Sequence, residues 1–508
     1  MTRWSAETLF AAVKACESDA EWVLTRLADP ITELSGRPTD VPAARRLIGH
    51  WLMHVSHQFH VLGHDTGDGR DDFTVPLHAE HMDHHRSYVA DADYRVALNS
   101  AIAAIRHGRA STIQLRPVKP RNGSISLRSR LRRAILTRVS GGGEVLITQP
   151  YLRFGIRDTR RFIGHSSSWS QWQDLSCTSA ATPLIERRRA LARAVDIRDE
   201  RSALLVLAIL LMPSAVIEGR REILAQLDRA LPMRPKMVFS ANGLQFVTAF
   251  QVLAAEAESR GTRVGIQQHG GHFGLDSVHA GENVEVAAAD RFYTFGWVDD
   301  RSNVRPLPTA SPLRADSADR RRMLVMSVEA SDSIYRLQPF CLPEHAQACF
   351  AMTRTFLDEL GDSAGFNPVV RAGEREHALI GAPVPRDDLR TPGTVSASAS
   401  GLVVHNYLGT SWLETLAMNV PTLCIVPPNI HAFRAAAQPH VDALKAHGVI
   451  HDDPRAAARF VRSLGGDARA WWRQEDLQAD RARFVATYAN YSDDWLDLWR
   501  EELTGFAE

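Results

Sequence analysis

Lysine is nearly missing from this 508-residue chain: four lysines (Lys14, Lys119, Lys236 and Lys445) stand beside 55 arginines. Net charge is missing too, since 59 basic side chains face 59 acidic ones. A neutral chain has no basic excess with which to neutralise phosphates, which excludes bulk nucleic-acid binding. The arginine bias follows genome composition on one reading. On another it serves anion recognition, because guanidinium forks grip phosphate and carboxylate bidentately. Cysteine is scarce. Its five copies are odd in number and scattered, with no CxxC pair, which points to buried thiols in a reducing compartment rather than a disulfide framework. No apolar run approaches the roughly 20 residues of a bilayer span. The most apolar one, Ala203 to Met212, stops at Pro213 and reads as a buried helix or strand. The N-terminal MTRWSAETLF carries Glu7 and reads as an amphipathic helix, not a secretory signal. The expected protein is therefore soluble and cytoplasmic, with association to the inner membrane face through a surface patch left open. HExxH and GxSxG are absent, and no Gly-Lys-Ser/Thr follows Gly141 to Gly143, so metalloprotease, hydrolase-elbow and P-loop chemistry find no support.

What is present is a change of rhythm. Residues 1–140 read as mainly helical. Pro42 opens a helix over Val41 to Leu62, in which Leu47, Trp51, Val55 and Phe59 recur at four-residue steps. Pro117, Pro120, Asn122 and Gly123 mark a loop before a helix at Ser126 to Val139. After the triple glycine, short apolar runs alternate with helical stretches such as Gly243 to Arg260. The runs are Glu144 to Thr148, Met237 to Ser240, Val264 to Gln267 and Arg291 to Thr294. Arg301 to Ser317, rich in proline, serine and arginine, reads as an interdomain linker. Further runs follow at Met323 to Val328, Pro368 to Arg371, Gly401 to His405 and Pro421 to Val426. Closing helices carry Trp471, Trp472, Trp495 and Trp499 as packing anchors. The expected fold class is α/β: two facing doubly wound Rossmann-like domains over 141–315 and 316–508, with a helical N-terminal region over 1–140 and C-terminal helices. Ligand is expected at the carboxyl ends of the strands.

Two stretches carry candidate chemistry. In IQQHGGHFG, Ile266 to Gly274, a strand runs into Gln268, His269, Gly270 and Gly271. The glycines permit close backbone approach to a ligand and positive φ. His269 is a candidate proton carrier, or as a cation a partner for phosphate; the bland alternative is a histidine bonded to its own turn. Glu282, Glu285 and Asp290 follow, with Glu282 the candidate general base against the commoner fate of a cap or solvated charge. In VVHNYLGTSWLETLAMNVP, Val403 to Pro421, a buried strand ends at His405–Asn406, and Thr410–Ser411 begins a helix containing Glu414. Free amides and two hydroxyls there suit a phosphate, and Glu414, one turn on, suits ribose hydroxyls. Equally, Ser411-x-x-Glu414 is a capping box. Arg371 at a strand end, and Arg434 after Pro427–Pro428, could meet a phosphate or form ordinary salt bridges. Nine histidines crowd between His50 and His85. The pairs His50/His54 and His60/His64 have chelating spacing, but no cysteine supports them and polar helix faces and loops are the simpler reading.

Taken together, QQHGGHFG, RFYTFGW (Arg291 to Trp297), HNYLGTSWLETLAMNVPT and the closing WW…Q…ARFVATYA (Trp471 to Ala489) resemble a family of transferases from O-antigen and surface-carbohydrate gene clusters. RRLIGHWL, Arg45 to Leu52, is similar to its amino-terminal region, and residues 65–140 are the least matched. Phe295 stands in TFGW where the family would have tryptophan. The layout is similar to GT-B glycosyltransferases, and the QHG loop distantly resembles capsule Kdo transferases and CDP-glycerol polyol-phosphate transferases. The resemblance implies nucleotide in the C-terminal half and acceptor in the N-terminal half. Thr410, Ser411 and Glu414 would then hold donor phosphate and ribose, and His269 would face the reacting centre. The implied activity is glycosyl transfer from a nucleotide sugar to a glycan or lipid-linked glycan acceptor. No cofactor is expected, and no metal, because no DxD pair sits at a strand end. A CDP-polyol-type phosphotransferase and a sugar-nucleotide epimerase are the alternatives within enzymes; a non-catalytic nucleotide- or glycan-binding protein is the alternative outside them.

Overall fold

A computed structural model describes residues 4–62, 73–77, 92–109, 113–117, 144–150, 169–171, 183–231, 234–310, 319–330, 334, 336–361 and 365–507. The helix expected at 126–139, the triple glycine, residues 311–317 of the expected linker, and His64, His78, His81, His84 and His85 lie outside these residues. The chain forms two compact units. The first comprises residues 12–269, 280–293 and 499–508; the second comprises 1–11, 270–279 and 294–498. Boundaries near 140 and 315 therefore do not divide it. The helix at 41–62 belongs with the first sheet, and residues 270–279 belong with the second.

The first unit holds five parallel strands: β1 (Val145–Thr148), β2 (Trp169–Gln171), β3 (Met237–Ser240), β4 (Arg263–Gln267) and β5 (Arg291–Thr294), in the order β2-β1-β3-β4-β5. β1 and β3 are buried along their whole length, which is why VLIT and MVFS read as continuous apolar runs. Helix α1 (Val41–Leu62) starts where Asp40 Oδ1 accepts from Ala43 N at 2.7 Å, and its stripe of Leu47, Trp51, Val55 and Phe59 is buried. Arg46 ties α1 to the segment around α2 (Glu282–Ala288), donating to Ala288 O at 2.8 Å and pairing with Asp290 at 2.7 Å. The two helices approach so closely at Gly49 that a Cβ there would lie 2.9 Å from Val284 Cγ1.

The apolar run resolves as a helix, Glu200–Leu211, buried from Ser202 onward and opened by a reciprocal Asp199/Ser202 capping box. The expected helix over Gly243 to Arg260 is instead three pieces, Gly243–Phe246, Thr248–Ala255 and Ala257–Arg260, because Val247 is extended and Glu256, at ψ 2°, leaves the helical range. Two strands within the region expected to be helical, Phe73–Leu77 and Ile113–Pro117, pair in parallel. At the C-terminus Trp499 packs against Phe239 and Tyr293 with ring centroids at 5.2 and 4.9 Å.

The second unit holds β6 (Asp319–Met326), β7 (Asn367–Arg371), β8 (Ser400–His405), β9 (Thr422–Ile425) and β10 (Ile450–His451), all parallel, in the order β7-β6-β8-β9-β10. This repeats the first sheet's order: second strand, first, third, fourth, fifth. In such doubly wound sheets the topological switch falls between the first and third strands, and ligands bind beyond the carboxyl ends there. The described part of the expected linker contains short strands, Val304–Pro306 and Thr309–Ala310, the latter paired with Tyr491–Ser492. Trp471 and Trp472 are buried anchors, their indole N–H groups donating to His447 O at 2.9 Å and Asn419 Oδ1 at 2.8 Å.

Candidate functional site

Each sheet delivers polar side chains just beyond its strands. In the first unit these meet at Glu285, a fully buried carboxylate in the first turn of α2. Its Oε1 accepts from Gln245 Nε2 at 2.7 Å and lies 3.2 Å from His50 Nε2. Its Oε2 lies 3.7 Å from His269 Nδ1, and the Gln245 amide is 3.2 Å from His269 Nε2. Gln245 follows β3, His269 follows β4, and His50 comes from α1, next to the Gly49 that lets the two helices touch. α2 has Gly281 before it and no side-chain cap, so its amides and dipole favour a carboxylate in its first turn. A buried carboxylate between two imidazoles orients them and stabilises a proton on either, which is what a general acid or base requires. Glu282 is buried in the same turn, but the carboxylate set against His269 is Glu285. Asp290 is taken by Arg46 and by Val264 N at 2.7 Å.

The QHGG loop works differently from its expected logic. Gln268 is wholly buried, and its N–H donates to Tyr293 O at 2.8 Å, continuing the β4–β5 pairing. Neither Gly270 nor Gly271 has positive φ. Gly271 is needed for close approach: a Cβ would lie 2.6 Å from Gly409 C and 2.7 Å from Thr410 N. Gly274 alone of the loop glycines uses positive φ, +70°, and a Cβ there would run into the Trp297 indole.

That approach lands on the start of helix α3 (Thr410–Ala417), which follows β8. Gly409 is its N-cap, and no side chain caps it. The Ser411/Glu414 capping box is thus not formed, because the helix begins two residues earlier than such a box requires. Thr410 and Ser411 are half-buried, and Ser411 Oγ lies 3.1 Å from Tyr407 Oη, while Glu414 is buried. An uncapped helix start carrying two hydroxyls is an anion site in form.

Two expected ligand residues are committed to the scaffold instead. Asn406 bridges the switch point of the second sheet: its N–H donates to Met326 O at 3.1 Å, its Oδ1 accepts from Val328 N at 2.8 Å, and its Nδ2 donates to Thr353 Oγ1 at 3.0 Å. Arg371 spends its fork on Asp387 at 2.8 Å and on Thr391 O at 2.9 Å, which in turn holds the Asp387 carboxyl below its ordinary range despite burial. Arg434 donates to Asp276 O at 3.3 Å and lies over the Trp297 ring.

A third cluster had no sequence signal. Asp276, wholly buried, meets His272 Nδ1 at 2.7 Å and His431 Nδ1 at 3.0 Å. Burial opposes its ionisation, but the two imidazoles outweigh that and hold the carboxyl far below its ordinary value. Phe340 flanks both histidines, and its ring also meets Tyr407 edge-on at 5.8 Å.

The sequence profile described as LIC12162 family transferase matches residues 70–503. The chain belongs to the LIC12162 family. The match takes in the QHGG loop, Glu285, Asp276, α3 and His431, and it includes most of residues 65–140, while RRLIGHWL and His50 precede it. Curated proteins offer no match. Among solved structures, this LIC12162 family chain is similar to Staphylococcus aureus MnaA with UDP (10% identity, 71% of this chain, 96% of that one, TM-score 0.39). It is also similar to spinosyn rhamnosyltransferase SpnG (10% identity, 85% and 100%, TM-score 0.36). A third is an O-GlcNAc transferase mutant from Thermobaculum terrenum (12% identity, 100% and 99%, TM-score 0.34). Likenesses this slight leave the doubly wound topology to be read from the strand orders themselves.

Proposed function

We propose that this transferase moves a glycosyl group from a nucleotide sugar to a surface-polysaccharide acceptor of the O-antigen type, a glycan or lipid-linked glycan. The observation that carries the reading is the start of α3: an uncapped helix N-terminus with Thr410 and Ser411, closed over by the backbone of Gly271. In this reading the donor phosphates sit at α3, where dipole and hydroxyls neutralise the charge that develops as the sugar–phosphate bond breaks. Glu414 takes the ribose hydroxyls. His269, oriented by Glu285, accepts the proton of the acceptor hydroxyl as its oxygen bonds to the anomeric carbon. No helix among the described residues is long and apolar enough to cross a membrane; the reading places the enzyme in the cytoplasm, meeting a lipid-linked acceptor at the membrane's inner face.

The test is turnover of a nucleotide-sugar panel by the full chain, followed by free-nucleotide release. Thr410→Ala with Ser411→Ala is expected to raise donor KM roughly tenfold or more, at about 1 kcal/mol per lost hydrogen bond. His269→Ala is expected to lower kcat by about 10²–10⁴-fold. Full turnover in His269→Ala removes that residue from the chemistry. CMP release with phosphate transfer makes the protein a polyol-phosphate transferase, conversion without an acceptor makes it an epimerase, and thermal stabilisation by nucleotide without release makes it a binding protein.

A further inference from the structure

We infer that His272, Asp276 and His431 form a binding site for one divalent transition-metal ion of the zinc type. The three donor atoms, one nitrogen from each imidazole and one carboxylate oxygen, all lie within 4.8 Å of one another. Two imidazoles and a carboxylate are a set that zinc, cobalt(II) and similar borderline ions take, and three protein donors leave a fourth position open for water or a phosphate oxygen.

The site is built before any ion arrives. Residues 275–277 and 432–434 are zipped together by the Asp276–Phe433 bridge, by Ser277 N donating to Ala432 O at 2.7 Å, and by Arg434 N donating to Leu275 O at 3.0 Å. This pairing fixes His431 against Asp276 across 155 residues of sequence. His272 reaches the same carboxylate from one helical turn away. The histidine rings lie nearly parallel, 12° apart with centroids at 6.0 Å, and Phe433 stacks on His431 at 5.2 Å. Phe340 covers the other approach, 4.7 Å from His431.

Charge favours a cation here. Asp276 is wholly buried, the side chains of His272 and His431 are 12% and 5% exposed, and Arg434 donates to the Asp276 backbone carbonyl. A cation held between the two rings would meet the buried carboxylate at close range, and buried charges are characteristically paired or coordinated. Around a tetrahedral ion with bonds of about 2.0–2.1 Å, donor atoms stand about 3.3 Å apart. The observed nitrogen–carboxylate separations of 2.7–3.1 Å are those of hydrogen bonds between the same groups, a few tenths of an ångström shorter than in a loaded site. The site departs from the metal-free expectation and does not rest on the proposed activity, since its readout is metal content.

The experiment uses tag-free full chain, loaded with zinc, freed of excess by gel filtration and assayed for metal by mass spectrometry. Cobalt(II) loading gives a visible-absorption probe of the same site. About one zinc per chain is expected. Asp276→Asn and His431→Ala are each expected to weaken binding tenfold or more and to abolish the cobalt band. His50→Ala and His57→Ala, in the histidine-rich stretch, should keep both. Should a cluster variant not melt cooperatively, His272→Gln is the milder replacement, and the cobalt band of the wild-type chain stands as the second readout. Absence of retained zinc and of a cobalt band overturns the inference. So does equal retention in folded cluster variants, which assigns the metal to the other histidines.

Discussion

Glu285 and His405 show how a single buried ionisable group is tolerated in two opposite ways. Glu285 is held in company: Gln245 donates to it, and His50 and His269 lie beside it. Glu285→Ala removes the carboxylate and strands those donors, and it is expected to cost about 3 kcal/mol in urea unfolding, several times the cost of the near-isosteric Glu285→Gln. His405, at the end of β8, is kept neutral by isolation. Thr415 Oγ1 donates to Trp412 O at 3.0 Å and so accepts from His405 Nε2, also at 3.0 Å, leaving no acceptor for a second ring proton. Burial pushes this imidazole down from 6.5 to about 3. The unfolded chain binds that proton below pH 6.5, and the folded chain does not until about pH 3. Stability on this account is full above pH 6.5 and declines as pH falls through the window. His405→Gln is expected to flatten the acid limb of the Tm–pH profile by one proton's slope.

At the scale of elements, the glycines of the QHGG loop separate cleanly. Gly270→Ala places its methyl group 3.7 Å from the Phe273 ring, an ordinary contact, and is expected to leave stability within about 0.5 kcal/mol of wild type. Gly271→Ala drives the same methyl into the Gly409–Thr410 peptide and is expected to cost about 1–3 kcal/mol, with a matching rise in donor KM, read by thermal melting and steady-state kinetics. The alternation of strands and helices was legible because parallel strands are buried on both faces; VLIT, MVFS and TLCI announce this by composition alone. The helix of Val41–Leu62 was legible from its four-residue stripe. The strands at Phe73–Leu77 and Ile113–Pro117 were not, being short and proline-containing. The convergence of side chains was not legible either. His50 meets Glu285, and Asp276 meets His431, because strand order and helix packing bring them together, and no spacing along the chain encodes that.

At the scale of the molecule, the chain passes between its two units after residues 11, 269, 279, 293 and 498. Neither unit is a contiguous stretch. A fragment of residues 316–508 lacks Leu275, Asp276 and Ser277, which give the segment around His431 its backbone partners and its carboxylate. Expressed alone it is expected to lack the single cooperative melt of the full chain, as calorimetry would show. The ten residues 270–279 also bear on how such proteins diverge. They lie, in sequence, among strands of the first sheet, yet they pack with the second. Recombination at a point between the halves would give a hybrid whose second sheet meets a foreign copy of this segment. A functional chimera that exchanges the second sheet between relatives must therefore carry residues 270–279 with it, as a separate, compensating cassette.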